Sequence, residues 1–298
     1  MELIFLGTSS AVPSKYRNHS AIALKAFGEI ILFDCGEGTQ RQMVQLKLSP
    51  MKVNNIFITH LHGDHILGIP GIIQSMGFRG RKEKLNIYGP PGIAMVIDSI
   101  MNLGYFTLNF NIEVHEIDGG ILIDEKEYAI ECAKTEHSIP NFSYSIIEKK
   151  KPRFLRKKAL ELGIEPGPDF GKLHAGTSVE VNGKIIKPED VLGEPRKGIK
   201  IVYSGDTRPC DALIDLAMDA DILIHESTFQ ADSPDKAEET CHSTAQEAAN
   251  VALQARAKKL ILTHISTRYK KSKILEKSAK EIFKNSMVAE DLMVVKVK

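Results

Sequence analysis

The chain has no CxxC pair. Its four cysteines, Cys35, Cys132, Cys210 and Cys241, stand far apart, so neither a thiolate zinc site nor a disulfide framework is suggested. Cys210 near Asp206 and Cys241 beside His242 lack ligand-type spacing and read as packing residues. Strong charge of either sign is also missing. A formal net charge of +1 gives no global field for nucleic acid, so any polyanion footprint has to be a local patch. No apolar run approaches the roughly 20 residues needed to cross a bilayer, so no membrane partner is expected. The first residues, Met1-Glu-Leu-Ile-Phe-Leu-Gly, carry no basic flank and read as a strand rather than a signal peptide. A cytoplasmic location is expected.

With 298 residues, 43% of them hydrophobic and 26% charged, the chain can bury a sizeable core in one large α/β domain or two small ones. Apolar runs rich in Ile and Val end at turn residues and read as buried strands. They lie at Leu3–Leu6, Ile30–Asp34, Asn55–Thr59, Leu85–Tyr88, Ile112–Ile117, Tyr128–Ala133, Phe142–Ile147, Lys200–Ser204, Ile222–Ile224, Leu260–Thr263 and Leu292–Val297. Helical patterns occur at Ile66–Gly77, Gly92–Leu103, Ser272–Phe283 and, most clearly, Ser243–Lys259, where Ser243 and Gln246 are spaced as a capping box. Strands in runs and then strands alternating with helices suggest two sheets with helices packed outside. No shift in composition marks a second domain.

One segment departs from this pattern. From Lys149 to Lys158, seven of ten residues are Lys or Arg and none is acidic. A stretch heavy in Gly and Pro follows, Leu162 to Gly176. Together, 149–176 reads as a projecting excursion rather than core.

The strongest chemical signal is His60-Leu-His62-Gly-Asp64-His65, directly after a strand. Imidazole and carboxylate suit zinc and similar divalent ions. Four such ligands in six residues do not all reach one tetrahedral ion, but a short loop can divide them between two ions a few ångströms apart. Further ligands are then needed from other strand ends, and His137, Asp206 and His264 stand at such ends. Asp206, with two oxygens, can bridge. Asp34 after Phe33 reads equally as a turn residue.

These five places, Asp34, His60–His65, His137, Asp206 and His264, resemble in order the motifs of the metallo-β-lactamase superfamily. The resemblance implies an αββα sandwich with two Zn²⁺ per subunit at one edge. His60, His62 and His137 would hold one ion, Asp64, His65 and His264 the other, with Asp206 between them and Asp34 orienting ligands. Pro13-Ser-Lys-Tyr-Arg-Asn18, His225-Glu-Ser-Thr228 and His242-Ser-Thr244 resemble stretches of the ribonuclease Z family of tRNA 3′-processing endonucleases, although Ser227 replaces the usual Ala. The 149–176 segment resembles that family's flexible tRNA-clamping arm, within a single domain of 1–298. The resemblance implies cleavage of precursor tRNA after the discriminator nucleotide, leaving a 3′-hydroxyl and a 5′-phosphate on the trailer. It also implies a homodimer.

Phosphodiester hydrolysis needs a nucleophile, charge stabilisation and a proton for the leaving oxygen. Asp64 can orient water or accept its proton. His242 is a candidate general acid supported by Glu226, or else a helix-start residue before Ser243. Lys15, Arg17 and Asn18 are candidates to meet the RNA near the cut, and Lys149, Lys150, Lys151, Arg153, Arg156, Lys157 and Lys158 to grip phosphates with little sequence information. Two rivals stand beside this reading: a hydrolase of small esters or phosphodiesters with the same metals, and an RNA-binding protein with a structural metal.

Overall fold

The computed structural model describes residues 1–194 and 196–297. The chain divides into two units. One runs over Met1–Ile147 and resumes at Ile199, and the other is Glu148–Gly198. In chain order the strands are β1 (Glu2–Gly7), β2 (Ala21–Ala26), β3 (Glu29–Phe33), β4 (Val53–Phe57), β5 (Leu85–Gly89) and β6 (Ile112–Glu116). Then come β7 (Gly120–Asp124), β8 (Tyr128–Thr135), β9 (Asn141–Glu148), β10 (Val179–Val181) and β11 (Lys184–Ile186). The last are β12 (Lys200–Tyr203), β13 (Ile222–Glu226), β14 (Leu260–Thr263), β15 (Ser286–Val288) and β16 (Val294–Lys296).

The first unit holds two seven-stranded sheets, ordered β16-β1-β2-β3-β4-β5-β6 and β15-β14-β13-β12-β9-β8-β7. Both are mixed. β3 through β6 run parallel, as do β12 through β15, while β2 pairs antiparallel with β1 and β3, and β9 antiparallel with β12.

Continuous apolar runs form these strands because both faces are covered. Side chains alternate between faces with period two, and burial follows that period. Leu3 and Phe5, Ile31 and Phe33, Ile201 and Tyr203, and Ile222 and Ile224 fill the space between the sheets. Ile4 and Leu6, Ile30 and Leu32 face outward onto the helices Thr39–Gln45, Ile69–Phe78 and Ile93–Met101. Val202, Leu223, Leu260 and Leu262 pack on the helices Asp211–Ala217, Ala245–Gln254 and Lys273–Lys280. Each helix offers a stripe: Ile69, Ile72, Ile73 and Met76 are fully buried at helical spacing. The layers are therefore helix, sheet, sheet, helix, the expected α/β sandwich.

Several details differ from the sequence reading, and β7, β10, β11 and β15 lie outside the expected strands. β2, with the sequence Ala-Ile-Ala-Leu-Lys-Ala, carries too much alanine to read as a strand, because alanine has little intrinsic β preference. Its place is set by neighbours on both sides. The last strand begins at Val294 rather than Leu292. The cap of the Ala-rich helix is also one residue later than expected. Thr244, not Ser243, is the N-cap, and its hydroxyl accepts from the Glu247 N–H at 3.2 Å while Glu247 accepts from the Thr244 N–H at 2.8 Å. Ser243 is engaged elsewhere, its hydroxyl donating to the Thr207 carbonyl at 2.6 Å.

The second unit has its own small core of Ala159, Ile164, Leu173, Val179, Ile186 and Val191, with Phe154 and Phe170 against it. The helices Arg156–Glu161 and Pro168–His174, the short helix Pro188–Val191 and the β10–β11 hairpin contribute to it. The glycine and proline content of this segment is helix punctuation. Pro168 opens a helix, and Gly163 (φ 80°) and Gly176 (φ 93°) stand in the left-handed region just past two helix ends. The unit thus contains 149–176 and continues through the hairpin.

Candidate metal centre

Strand ends build the site. His60 to His65 follow β4, His137 follows β8, Asp206 follows β12 and His264 follows β14. Asp34 follows β3, and Glu226 is the last residue of β13. Carboxyl ends of parallel strands from both sheets thus supply most of the groups, where α/β folds assemble sites. Tight turns aim them. Gly205 precedes Asp206 at φ 61°, and a Cβ there would lie 2.9 Å from the Thr59 side chain. Asp34 and His264 adopt φ of 57° and 56° without being glycine, an uncommon conformation that the surrounding packing has to hold.

All seven residues expected as ligands converge. The donor atoms of His60, His62 and His137 lie within 4.8 Å of one another, and so do those of Asp64, His65 and His264. In the first group His62 Nδ1 is 3.0 Å from His60 Nε2 and 3.3 Å from His137 Nε2. In the second His65 Nε2 is 3.3 Å from His264 Nε2, which is 3.4 Å from Asp64 Oδ2. Asp206 Oδ2 faces both groups, 3.6 Å from His60 Nε2, 3.4 Å from His65 Nε2 and 3.2 Å from His264 Nε2. Two ligands on a tetrahedral zinc with bonds of about 2.0–2.1 Å stand about 3.3–3.4 Å apart. The observed separations match that spacing, and the buried Asp206 Oδ1 has no hydrogen-bond partner among the described residues. The donor set fits a metal cofactor.

The other ring nitrogens are held in ways that fix the tautomers. His65 Nδ1 donates to Asp34 Oδ2 at 2.7 Å, His60 Nδ1 to Thr59 Oγ1 at 2.9 Å, His137 Nδ1 to the Cys241 carbonyl at 2.9 Å and His264 Nδ1 to Thr228 Oγ1 at 3.0 Å. A proton on each Nδ1 leaves each Nε2 lone pair directed into the cluster. Burial lowers His60 well below the ordinary imidazole range, which keeps it in the neutral form that binds a cation. Asp34, fully buried, also accepts from the Thr59 N–H at 2.8 Å and the Tyr203 hydroxyl at 2.8 Å. It orients His65 rather than facing the cluster centre.

His242 stands at the rim. Its Nδ1 is 2.8 Å from Glu226 Oε1 and 4.0 Å from Asp206 Oδ2. Burial alone would lower its pKa, but the charge and hydrogen bond of Glu226, with the charge of Asp206, together raise it to about 9. Glu226 is fixed by the Thr228 N–H at 2.9 Å and the Ser243 N–H at 3.0 Å.

The remaining expected residues are not among the converging donors. Lys15 and Tyr16 form the exposed tip of a loop, with the Lys15 ammonium 5.6 Å from the Tyr16 ring centre. Arg17 and Asn18 turn inward instead. Arg17 Nη1 donates to the Ala289 carbonyl at 2.8 Å, and Asn18 Nδ2 donates to the Glu37 carbonyl at 2.7 Å. In the second unit Lys149, Lys151, Arg153, Arg156, Lys157 and Lys158 are exposed, while Lys150 pairs with Glu148 at 3.1 Å.

Two residues near the site escaped the sequence reading. Arg208 donates to the His242 carbonyl at 2.6 Å and pairs with Glu247, tying the His242 backbone to the helix behind it. Arg268 lies over the Phe229 ring at 4.8 Å, and that ring centre is 6.3 Å from His242. Neither has a sequence signal beyond a lone arginine after a ligand-bearing turn.

Comparison with known proteins agrees with this geometry. Residues 179–265 match the family model described as a beta-lactamase superfamily domain, and residues 1–155 match that of the anti-Pycsar protein Apyc1. The short-form human tRNase Z is 32% identical with a TM-score of 0.75, the match covering all of both chains. A diphosphatase of the PhnP family at 14% identity, with a TM-score of 0.66 over 100% of this chain and 98% of its own, shares the fold. Ribonuclease Z of Methanosarcina mazei is 49% identical over 100% of this chain and 98% of its own. Ribonuclease Z of Methanothermobacter thermautotrophicus is 62% identical over 100% of this chain and 97% of its own. With identity of that order running the length of the molecule, the chain belongs to the ribonuclease Z family.

Proposed function

We propose that the protein is a zinc-dependent endoribonuclease that removes the 3′ trailer from precursor tRNA, cutting after the discriminator nucleotide. The observation that carries the reading is the 62% identity along the whole chain with a ribonuclease Z, joined to the histidine–carboxylate cluster. In this reading two Zn²⁺ are held per subunit, one by His60, His62 and His137 and one by Asp64, His65 and His264, with Asp206 between. Such a pair supplies Lewis acidity at the phosphoryl oxygens and a nucleophile at neutral pH.

The chain's own residues do the rest. Water adds to phosphorus, and Asp64 orients it or takes its proton. The P–O3′ bond breaks, and a proton from His242 passes to O3′, giving the 3′-hydroxyl on the tRNA and the 5′-phosphate on the trailer. Because Nδ1 of His242 is bonded to Glu226, the proton delivered is the one on Nε2, which has no protein partner among the described residues. Lys15 at the exposed loop tip meets the RNA near the cut, with Arg17 and Asn18 holding that loop in shape. Lys149, Lys150, Lys151, Arg153, Arg156, Lys157 and Lys158 grip phosphates of the tRNA body by charge, with binding that weakens as salt rises. Shape rather than sequence is then read, as suits a folded RNA.

A cytoplasmic homodimer completes the reading. No helix among the described residues is long and apolar enough to cross a membrane.

The test is to incubate the protein with a trailer-bearing precursor tRNA and map both new ends. Cleavage after the discriminator is expected, and His65→Ala should abolish it with the RNA otherwise unchanged. Intact RNA under metal-replete conditions, or equal cutting by H65A, refutes the proposal.

A further inference from the structure

The loop from Thr8 to Asn18 is closed at its base. The Thr8 and Ser9 N–H groups both donate to the Asn18 carbonyl, at 3.0 and 2.8 Å. One carboxylate far along the chain then grips both ends. Asp291 Oδ1 accepts from the Thr8 hydroxyl at 2.7 Å, and Oδ2 accepts from the Asn18 N–H at 2.7 Å and from Gln42 Nε2 at 2.8 Å. Arg17 backs this arrangement from the Ala289 carbonyl and the Thr8 hydroxyl.

From that base the loop reaches the cluster on one side. The Ala11 N–H donates to Asp64 Oδ2 at 2.8 Å, from a left-handed backbone at φ 53° that an unanchored alanine would not keep. The Ile265 N–H donates to the Thr8 carbonyl at 2.8 Å, and the Ser10 N–H to the Ile265 carbonyl at 3.2 Å. Ile265 is the residue after His264. The loop is therefore bonded to the carriers of two of the three donors in the Asp64, His65, His264 group. Among the described residues its backbone makes no hydrogen bond to His60, His62 or His137.

We infer that Asp291 is a positioning residue for one half of the centre. By anchoring the loop it sets the rotation of the Asp64 carboxylate and the height of His264, and leaves the His60, His62, His137 half alone. The inference rests on the two-ion reading above and deepens it. Outer partners of metal ligands typically alter affinity by about 10–100-fold when removed, and here the change should fall on a single ion.

Asp291→Asn is the first variant, because an amide keeps the shape but offers one acceptor oxygen instead of two. Thr8→Val is the second, since it removes the bonds of the Thr8 hydroxyl to Oδ1 and Arg17 but keeps those of Asn18 and Gln42 to Oδ2. The measurement is zinc bound per chain by metal-stripped protein across a series of buffered free-zinc concentrations, together with the Tm of the stripped protein. His137→Ala marks the other half, so the ion it retains identifies the Asp64 side. D291N should weaken that ion about 10–100-fold and leave the other at its original affinity, with T8V acting in the same direction by less. Equal weakening of both ions, or no change in either, overturns the inference. If D291N does not fold, T8V decides by the same criterion. A single ion per unsubstituted chain would instead overturn the two-ion reading, and this inference with it.

Discussion

At the scale of single residues, the clearest division of labour is between His242 and the ligand cluster. His242 lies beside the cluster, its donor atom within 4.8 Å of those of His137 and Asp206, but its Nδ1 is engaged at 2.8 Å by Glu226, which also holds the backbone N–H groups of Thr228 and Ser243. Replacing His242 by Ala should lower kcat by about 10²–10⁴-fold, the usual worth of a positioned acid, with bound zinc per chain unchanged by elemental analysis. Glu226→Gln should lower kcat as well and also lower Tm, because a buried acceptor for backbone donors is lost. Cutting by H242A within a few-fold of the original rate would remove His242 from the chemistry. The cluster His60–His65 was legible because ligand types crowd within six positions. His137, Asp206 and His264 were legible only through it, as single residues at strand ends. Arg208 and Asp291 were not legible at all. Their roles are hydrogen bonds to groups distant in sequence, and an isolated Arg or Asp in a loop carries no mark of its partner. Nor does the sequence show that the side chains of Arg17 and Asn18, expected to meet the RNA near the cut, donate to the Ala289 and Glu37 carbonyls.

At the scale of elements, period and punctuation account for most of what was read and most of what was missed. Long Ile- and Val-rich runs became central strands. Ile56-Phe-Ile-Thr-His60 and Leu260-Ile-Leu-Thr-His264 are alike in sequence and in structure, since each carries the end of a parallel strand, β4 in one sheet and β14 in the other, and delivers a histidine to the cluster. β2, β7, β10, β11 and β15 were missed, β2 for its alanine and β10, β11 and β15 for their three-residue length. The cap of the Ala245–Gln254 helix shows how a local pattern is ambiguous by one step. Ser243 and Thr244 are each followed three residues later by a residue able to close a capping box, and only tertiary contacts choose between them. Thr244→Ala should therefore cost about 0.5–2 kcal/mol of stability in urea unfolding. Ser243→Ala also costs stability through its bond to Thr207, so an unchanged midpoint for T244A is the result that would discredit the cap.

At the scale of the whole molecule, the second unit separates a reading based on RNA from one based on small esters. Its core runs through the β10–β11 hairpin, so a deletion ending at residue 176 would cut the unit through its own packing. Replacing 149–197 by a short Gly/Ser linker removes it entire. Hydrolysis of a chromogenic phosphodiester should survive that replacement, while processing of precursor tRNA should fall at least about tenfold, in line with losing several phosphate contacts. Equal loss on both substrates would deny the unit a part in RNA binding. The sandwich itself followed from the order of strand and helix patterns, but the pairing of β16 with β1 did not, because nothing local to either strand specifies a partner so far away.

That pairing has a consequence for how the molecule comes into being. Glu2 stands opposite Lys296 and Leu3 opposite Val295, so during synthesis β1 waits for β16, made about 290 residues later, before that edge is paired. Meanwhile the donors after β4 have emerged long before His264 and the carboxylate at 291. A chain paused between residues 265 and 290 would already carry all seven donors, yet lack both the strand that closes the edge of its first sheet and the carboxylate that grips the loop from Thr8 to Asn18.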